Sequence, residues 1–280
     1  MQPLIRIRAL RHTYVFDAGI PIAALDGIDL DLHHGEFVGI VGPNGSGKST
    51  LAQHLNGLLM PTSGEVWVSG MLTAEPRDRW RIRQQVGMVF QNPDSQLVAS
   101  TVEEDVAFGL ENLGVPPAEI RARVDAALDA VGLAGYATRP PYLLSGGQKQ
   151  LVAIAGVLAM QPACIVFDEP TSMLDPSGRE RVLDTVKMLN TEHGTTTVLI
   201  TQSMEEAALA GRLLVMHRGR IVADGPPTRI FAEPARLRSL GLDLPPVVEI
   251  AHRLGEWGIP LPPDLQTVDD MARVLCTLSS

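Results

Sequence analysis

A glycine-rich segment that ends in a lysine and a hydroxyl residue is the strongest chemical signal in this chain of 280 residues. Residues 42–49 match G-x-x-x-x-G-K-[ST] in full, after an apolar run at 37–41 and before a helical pattern. Glycines let the backbone turn its N–H groups inward, and the following helix presents its positive end to an anion. The lysine can reach the β- and γ-phosphates of a nucleotide, and the adjacent hydroxyl can ligate Mg²⁺. The residues predicted to bind nucleotide in this phosphate loop are Gly42, Pro43, Asn44, Gly45, Ser46, Gly47, Lys48, Ser49 and Thr50.

A second glycine-containing element, Leu144-Ser-Gly-Gly-Gln148, opens the amphipathic helical pattern 147–160. The free N–H groups and the dipole at the start of such a helix can hold a γ-phosphate. One nucleotide needs only one phosphate loop. We therefore expect this element to complete a nucleotide site in another subunit.

Two adjacent carboxylates, Asp168 and Glu169, follow the apolar run 164–167, which is typical of a buried strand. Carboxylates at a strand end are common, but a phosphate loop upstream favours a functional interpretation. We expect Asp168 to hold the water shell of Mg²⁺ and Glu169 to polarise the attacking water as a general base.

The acidic cluster at 103–105 has a different interpretation. Thr101 is followed three residues later by Glu104, which is the spacing of a helix capping box, and acidic side chains stabilise the first turn of a helix. We therefore predict a helix start there and no metal site.

The phosphate loop, the element at 144–148 and the carboxylates Asp168 and Glu169, in this order along the chain, resemble the nucleotide-binding subunit of an ABC transporter. The resemblance makes the phosphate loop a Walker A motif, Asp168 the end of a Walker B strand and Glu169 the catalytic glutamate, with Lys48 also catalytic. The segment 144–148 matches the family signature without a substitution. The resemblance implies that two cassettes stack head to tail, with ATP and Mg²⁺ as ligands. The signature residues implied to contact the partner's nucleotide are Ser145, Gly146, Gly147 and Gln148.

Three further positions carry the same resemblance. Gln91 follows Val89-Phe90 at the Q-loop position, which implies contact with Mg²⁺ and a catalytic role. The stretch 172–175 looks like the D-loop, which places Asp175 at the nucleotide. Tyr14 lies where the family stacks an aromatic ring on adenine, and Phe16 is a rival for that position.

One family position departs from the pattern. After the strand 197–201 the family places a switch histidine, whereas this chain has Gln202. Glutamine can donate and accept hydrogen bonds, but it cannot carry a proton near neutral pH. Our hypothesis is that this subunit, with Gln202 among its catalytic residues, binds ATP normally but hydrolyses it slowly unless a partner subunit supplies a second, better site. The alternative is that Gln202 only positions the phosphate and activity is near normal.

The segment 91–109 looks like the corresponding part of energy-coupling-factor transporter ATPases, which import vitamins or cobalt and nickel ions. In that family two ATPase subunits, alike or different, grip a transmembrane coupling protein that engages a substrate-binding membrane protein. The resemblance implies a peripheral location at the cytoplasmic face of the cell membrane. Coupling helices would dock in the groove around 91–97.

The C-terminal tail adds to this resemblance, because similar tails bring two ATPase subunits together. Helical patterns at 246–257 and 268–278 flank a proline-rich stretch, the second after a Thr267 and Asp270 cap. The alternative is that both helices only cover the core. Their predicted apolar faces comprise Val247, Ile250, Ala251 and Leu254, and Val268, Met271, Ala272 and Leu275.

Two other classes of ABC protein are alternatives to a transporter motor. Soluble ATPases that act on ribosomes or DNA carry paired cassettes or long insertions, and the net charge of −9 also argues against nucleic acid. A regulatory subunit that binds ATP without useful hydrolysis is the other alternative, and Gln202 keeps it open. No apolar run is long enough to span a bilayer, the N-terminal residues lack a signal-peptide core, and only two cysteines occur.

The elements that must position these residues alternate between strands and helices, which predicts an α/β P-loop NTPase core. Closely spaced early strands suggest an antiparallel β-layer, and a helical subdomain at about 92–160 is inserted between two core strands. We predict an ATPase domain at 1–240 and a C-terminal helical extension at 241–280. Strands are predicted at 4–10, 28–32, 36–41, 65–70, 86–90, 163–168, 196–201, 213–217 and 220–223, and core helices at 48–57, 103–113, 118–131, 147–160 and 178–191.

Overall fold

The computed structural model describes residues 2–15, 20–259, 261–262, 265 and 268–278. Strands within these ranges are β1 Ile5–Val15, β2 Pro21–Leu32, β3 Phe37–Val41, β4 Ser63–Val68, β5 Met71–Leu72, β6 Val86–Val89, β7 Cys164–Asp168, β8 Thr196–Ile200, β9 Arg212–His217 and β10 Arg220–Gly225. Helices are α1 Lys48–Leu55, α2 Arg79–Gln85, α3 Val102–Asn112, α4 Pro117–Ala130, α5 Gly146–Ala159, α6 Pro176–Thr191, α7 Met204–Ala207, α8 Pro227–Phe231, α9 Pro234–Ser239, α10 Pro246–Glu256 and α11 Val268–Leu278.

A six-stranded sheet in the order β10-β9-β3-β8-β7-β6 forms the centre of the molecule. Five of its strands are parallel, and only β10 pairs antiparallel with its neighbour, β9. Strands β3, β7 and β8 are buried along their whole length, as their continuous apolar sequences require in a sheet covered on both faces. Their carboxyl ends therefore meet at one edge.

A four-stranded antiparallel layer, β2-β1-β4-β5, lies over one face of this sheet. In β1 the buried Ile5 and Ile7 alternate with the exposed Arg6 and Arg8, so one face packs inward. Helix α1 contributes to the core cluster that both sheets share. The antiparallel layer and the central sheet thus hold α1 and the loop before it in a fixed place.

Helices α3, α4 and α5 lie between β6 and β7 in the chain and share one apolar cluster with β7 and α6. The predicted capping box is confirmed at the start of α3. Thr101 Oγ1 accepts a hydrogen bond from the Glu104 N–H at 3.4 Å, and Glu104 Oε2 accepts one from the Thr101 N–H at 3.0 Å. The acidic cluster beside it is the first turn of this helix.

The tail forms helices at both predicted places, α10 and α11. Val248 packs into a cluster with β9 and α8, whereas Val247 packs with Leu265 and Met271. Of the predicted apolar face, Val247 is buried and Ile250 is 49% exposed, and Val248, which lies outside that face, is also buried. Thr267 lies outside the described residues. No helix in the described ranges is long and apolar enough to cross a bilayer.

The α/β class with an antiparallel layer is confirmed, and the strand and helix bounds differ in detail. β2 begins at Pro21 rather than 28, because it pairs with the whole length of a longer β1. The strand predicted at 65–70 ends at Val68, where Ser69 and Gly70 turn into β5 with positive φ angles of 47° and 77°. Helix α2 was not predicted, because its arginine-rich sequence shows only one buried apolar side chain, Ile82.

Candidate functional site

The predicted catalytic residues lie just beyond the carboxyl ends of four neighbouring strands. The phosphate loop follows β3, Gln91 follows β6, Glu169 follows β7 and Gln202 follows β8. Because these strands are parallel, all four segments meet at one edge of the sheet. The edge beyond the carboxyl ends of parallel strands is where open α/β sheets bind ligands.

Glycines in the phosphate loop are required by close backbone contacts. Gly47 has φ 102°, and a Cβ there would lie 2.5 Å from the Ala24 carbonyl oxygen. A Cβ on Gly42 would lie 2.2 Å from the Met216 carbonyl oxygen. The loop thus packs against the start of β2 and the end of β9 so closely that Gly42 and Gly47 have no space for a side chain. Among the described residues, the buried Ser46 hydroxyl has no hydrogen-bond partner.

Lys48 opens α1 and is only 5% exposed. Its Nζ donates to the carbonyl oxygens of Gly42 at 2.8 Å and Pro43 at 3.3 Å, so the ammonium lies inside the loop. Burial lowers the pKa of Lys48, and the nearby Glu169 and Asp168 carboxylates partly offset this effect. A bound polyphosphate would therefore replace the neutral carbonyl partners of the Lys48 ammonium with negatively charged oxygens.

Ser49 and Asp168 bring two oxygen ligands together. The Ser49 hydroxyl donates to Asp168 Oδ1 at 3.0 Å, and Asp168 is 8% exposed. Burial raises the pKa of the Asp168 carboxyl, while the hydrogen bond from Ser49 opposes that shift. A hydroxyl and a carboxylate beside a phosphate site fit Mg²⁺, which prefers oxygen ligands and usually keeps several waters.

Glu169 lies at the centre of the cluster, between two amide side chains. Gln202 Nε2 donates to Glu169 Oε1 at 2.7 Å, and Gln91 Nε2 donates to Glu169 Oε2 at 3.3 Å. Gln91 also donates to the Ser172 hydroxyl at 3.0 Å. The backbone of Glu169 has φ 51°, in the left-handed region that side chains other than glycine rarely adopt. Both carboxylate oxygens are thus oriented by donors on neighbouring strands.

The signature begins α5, and within the described residues it makes no side-chain hydrogen bond to its own phosphate loop. Ser145 Oγ accepts from the Gln148 N–H, and Gln148 donates to the Tyr136 hydroxyl at 3.2 Å. Within the described ranges, the side chains of Ser145 and Gln148 form hydrogen bonds with each other's backbone and with Tyr136. A Cβ on Gly147 would lie 2.8 Å from Gly178 Cα, so α5 and α6 touch backbone to backbone. Asp175 caps α6 by accepting from the Gly178 N–H at 3.3 Å.

Two residues of α5 attach it to the segment around Gln91, and the sequence interpretation missed both. The fully buried Gln150 donates to the Phe90 carbonyl at 3.1 Å, and Lys149 forms an ion pair with Asp94 at 2.6 Å. A glutamine on the apolar face of a helix is a signal that could have indicated this contact. The signature helix and the Q-loop position are therefore mechanically linked.

Tyr14 lies beside the phosphate-loop helix. Its hydroxyl is 3.3 Å from Thr50 Oγ1, and its ring meets the edge of His12, with ring centroids 4.6 Å apart. His12 in turn contacts the buried His54, whose Nδ1 lies 2.7 Å from the Thr50 carbonyl. Tyr14 is thus placed next to the helix that follows the phosphate loop. Phe16 lies outside the described residues.

Comparison with known proteins agrees with this geometry. The family model for ABC transporters matches residues 25–172, more than half of the chain. The chain belongs to the ABC transporter family. The resemblance expected from the motifs is therefore confirmed, and the protein is an ABC-type ATPase that binds ATP.

Relatives of this ABC ATPase also confirm the energy-coupling-factor resemblance. It is 58% identical to the energy-coupling factor transporter ATP-binding protein EcfA1 of Symbiobacterium thermophilum, over 94% of this chain and 92% of the relative. It is 55% identical to EcfA1 of Caldanaerobacter subterraneus, over 96% and 98%. It is 46% identical to the cobalt import ATP-binding protein CbiO of Syntrophus aciditrophicus, over 99% and 98%.

Solved structures place this ABC ATPase in the same fold. It resembles cbiO1 of Clostridium perfringens, described as part of the ABC transporter complex cbiONQ, with TM-score 0.75 and 35% identity over 90% of this chain and all of that one. It also resembles a dimeric ATP-binding cassette bound to ADP and Pi, with TM-score 0.72 and 32% identity over 80% and 98%.

Proposed function

We propose that this chain is the ATP-hydrolysing motor subunit of an energy-coupling-factor type importer, at the cytoplasmic face of the cell membrane. Its turnover is coupled to uptake of a vitamin or a transition-metal ion. The observation that carries this proposal is the convergence of Lys48, Asp168, Glu169, Gln91 and Gln202 at one sheet edge. The names of the relatives, which include energy-coupling and cobalt-import proteins, support the transport assignment.

In the proposed reaction, Lys48 exchanges the carbonyls of its own loop for β- and γ-phosphate oxygens. Ser49 and Asp168, with Gln91 adjacent, would hold Mg²⁺, which would supply positive charge to offset the charge that develops on the phosphates. Glu169 accepts a proton from the attacking water, since its two oxygens are already oriented by Gln91 and Gln202.

We infer that a second cassette, the same or different, completes each site through its signature. Ser145 and Gly146 are exposed at the start of α5, where a capping box between Ser145 and Gln148 fixes the first helical turn. A head-to-tail pair would bring Ser145, Gly146 and Gly147 to the partner's γ-phosphate. Asp175 lies at the start of α6, beside that signature. The dimeric form of the ADP-bound structural relative supports this arrangement.

An apolar groove next to the Q-loop supports a membrane-protein partner. It has a volume of about 290 Å³ and lies between α2 and α3. Trp80 and Phe108 are both 52% exposed there, and Phe90 joins the groove to Gln91. A helix of the transmembrane coupling protein that docks in this groove would move the Q-loop directly. A separate substrate-binding membrane protein would engage that coupling protein.

The C-terminal extension at 241–280 is proposed to strengthen pairing between the ATPase subunits. Ile250 and Ile259 are 49% and 43% exposed, and Trp257 is 78% exposed. Such large apolar side chains on one short stretch are typical of a contact surface. They lie beyond the ATPase domain at 1–240, whose inserted helical part at 92–160 carries the signature.

A regulatory subunit that binds ATP but hydrolyses it poorly is the second candidate, because Gln202 stands where the family uses a histidine. Turnover in the assembled complex separates the two candidates. A rate of about 1 per second or more, which lies in the range of typical enzyme turnover numbers, would favour the motor.

The test of the proposed function combines assembly with trapping. Glu169→Gln should stop hydrolysis and yield an ATP-dependent pair of cassettes in size-exclusion chromatography with light scattering. Ser145→Arg in the same background should abolish the pair while leaving ATP binding intact. Purification from native membranes should recover a coupling membrane protein with the chain. Recovery with ribosomes or DNA and no membrane protein would contradict the transport assignment.

A further inference from the structure

A buried carboxylate that the proposed reaction does not use lies behind the catalytic pair. Glu206 is in α7 and is 2% exposed. Its Oε1 accepts from the Thr171 hydroxyl at 2.6 Å and from Arg179 Nε at 2.7 Å. Its Oε2 accepts from the Thr201 hydroxyl at 2.5 Å. A buried charge is tolerated when it is this fully paired, and removing one partner of such a cluster is costly.

The two hydroxyls belong to the segments that carry the catalytic side chains. Thr171 lies two residues after Glu169, and Thr201 directly precedes Gln202. These segments leave the adjacent parallel strands β7 and β8, in which Asp168 is paired with Ile200. Beyond the paired register, the Glu169 N–H to Ile200 carbonyl bond at 2.9 Å and side-chain contacts join them. One carboxylate therefore clamps both segments just past the end of the sheet.

We propose that Glu206 is a positioning residue that sets the separation between Glu169 and Gln202. It acts through Thr171 and Thr201 and does not contact the nucleotide. The inference rests on the proposed role of Glu169 as general base.

The same carboxylate also holds the start of α6. Arg179 pairs with Glu206 and donates to the Ser203 hydroxyl at 2.7 Å. It lies one residue after Gly178, whose backbone touches the signature helix at Gly147. The clamp thus connects the catalytic pair to the helix against which the signature is packed.

The neighbouring Glu205 offers a matched control. It has the same side chain on the same helix, but its side chain is 61% exposed and its nearest approach to Arg179 is 3.9 Å. A displacement of about 1 Å at a reacting group can lower a rate by about 100-fold, so we expect Glu206→Gln to lower kcat roughly 10-fold or more. KM for ATP should stay within about 2-fold, because the phosphate loop is untouched. Glu205→Gln should match the wild type in both constants.

A double-mutant cycle separates positioning from a general loss of structure. If Glu206 acts through the Glu169 and Gln202 pair, Glu206→Gln should have little further effect in a Gln202→Ala background. Thr171→Val and Thr201→Val remove one hydroxyl each and should each give a smaller loss of kcat. These two variants carry the test if Glu206→Gln fails to fold, as judged by its thermal unfolding.

Three outcomes would overturn the inference: unchanged kcat in Glu206→Gln, a rise in KM without a change in kcat, or full additivity with Gln202→Ala. Glu169→Gln is measured in parallel. If that variant still hydrolyses ATP, the assignment of Glu169 as general base fails, and the failure is not one of Glu206. If Glu169→Gln is inactive while Glu206→Gln matches the wild type, only the positioning role fails.

Discussion

The Gln202 amide donates a hydrogen bond of 2.7 Å to Oε1 of Glu169. The side chain at the switch position thus contacts the proposed general base, from the segment that follows the neighbouring strand β8. An amide can orient this carboxylate, but it cannot relay a proton between the carboxylate and the phosphate near neutral pH. Gln202 can therefore orient the Glu169 carboxylate but cannot serve as a general acid or base.

Gln202→His should raise the rate of ATP hydrolysis. An imidazole can keep the contact with Glu169 and also exchange a proton, so we expect an increase of about 10-fold, a small part of the range for general acid–base catalysis. Single-turnover hydrolysis by purified chain at saturating ATP measures this step, with Gln202→Ala as the control that lacks both functions. Equal rates for wild type and Gln202→His would show that positioning by the amide suffices.

Asp168→Asn should stabilise the nucleotide-free protein at neutral pH. Burial raises the pKa of Asp168 above the value of 3.8 expected in the unfolded chain, so its ionised form is disfavoured by folding. This penalty is absent below pH 3.8, grows as pH rises to the folded pKa, and is then constant. The asparagine removes it, and Tm should rise by roughly 2–4 °C for each kcal/mol relieved.

Thermal unfolding by circular dichroism at pH 7.5 and at pH 5 checks this prediction, since the gain should shrink as the pH falls. Asp184→Asn, at an exposed position of α6, is the control and should change Tm little. A lower Tm for Asp168→Asn at pH 7.5 would mean that its charge stabilises the empty site. The same variant should also lose the dependence of ATP affinity on Mg²⁺.

Gly147→Ala should destabilise the protein and weaken the pairing of cassettes. The added methyl group would lie 2.8 Å from Gly178 Cα, so α5 and α6 must separate. Overpacking of this kind typically costs about 1–3 kcal/mol. Urea denaturation gives the loss in unfolding free energy, and ATP-dependent dimerisation in the Glu169→Gln background reports the displaced signature.

Gly156 provides the control within the same helix. A Cβ there would meet only ordinary contacts, the nearest atom being the Asp105 carbonyl oxygen at 3.7 Å. Because glycine is a poor helix former, Gly156→Ala should leave stability unchanged or raise it by up to about 1 kcal/mol. Equal effects of the two substitutions would show that contact with α6 does not matter.

Tyr14→Ala should lower affinity for ATP roughly 5-fold or more, as expected when one aromatic partner of a stacked base is removed. Inorganic tripolyphosphate, which has no base, should bind both forms alike. Tyr14→Phe keeps the ring and loses the hydroxyl that contacts Thr50, so it should bind ATP nearly as the wild type does. Isothermal titration calorimetry measures all three. Unchanged ATP affinity in Tyr14→Ala would transfer the stacking role to another residue.

Much of the candidate site could be predicted because its signals are local. The phosphate loop requires glycines within eight consecutive residues. The capping boxes of Thr101 with Glu104 and of Ser145 with Gln148 lie within one helical turn each. The apolar sequences of β3, β7 and β8 indicate buried parallel strands, whose carboxyl ends must share an edge. Interactions between residues that are close in the chain can be predicted because one short segment contains both partners.

The remaining features depend on which elements become neighbours in space. Glu206 meets Thr171 only because β7 and β8 are adjacent, and Gln150 meets Phe90 only because α5 packs beside the end of β6. Val248 of α10 is buried while Ile250 is half exposed for the same reason, since packing partners decide which residues lose contact with water. By itself the sequence determined the chemistry that is present and the elements that carry it. Only the tertiary structure decided how the catalytic groups are held relative to one another, because distances between residues far apart in the chain are set by the packing of strands and helices.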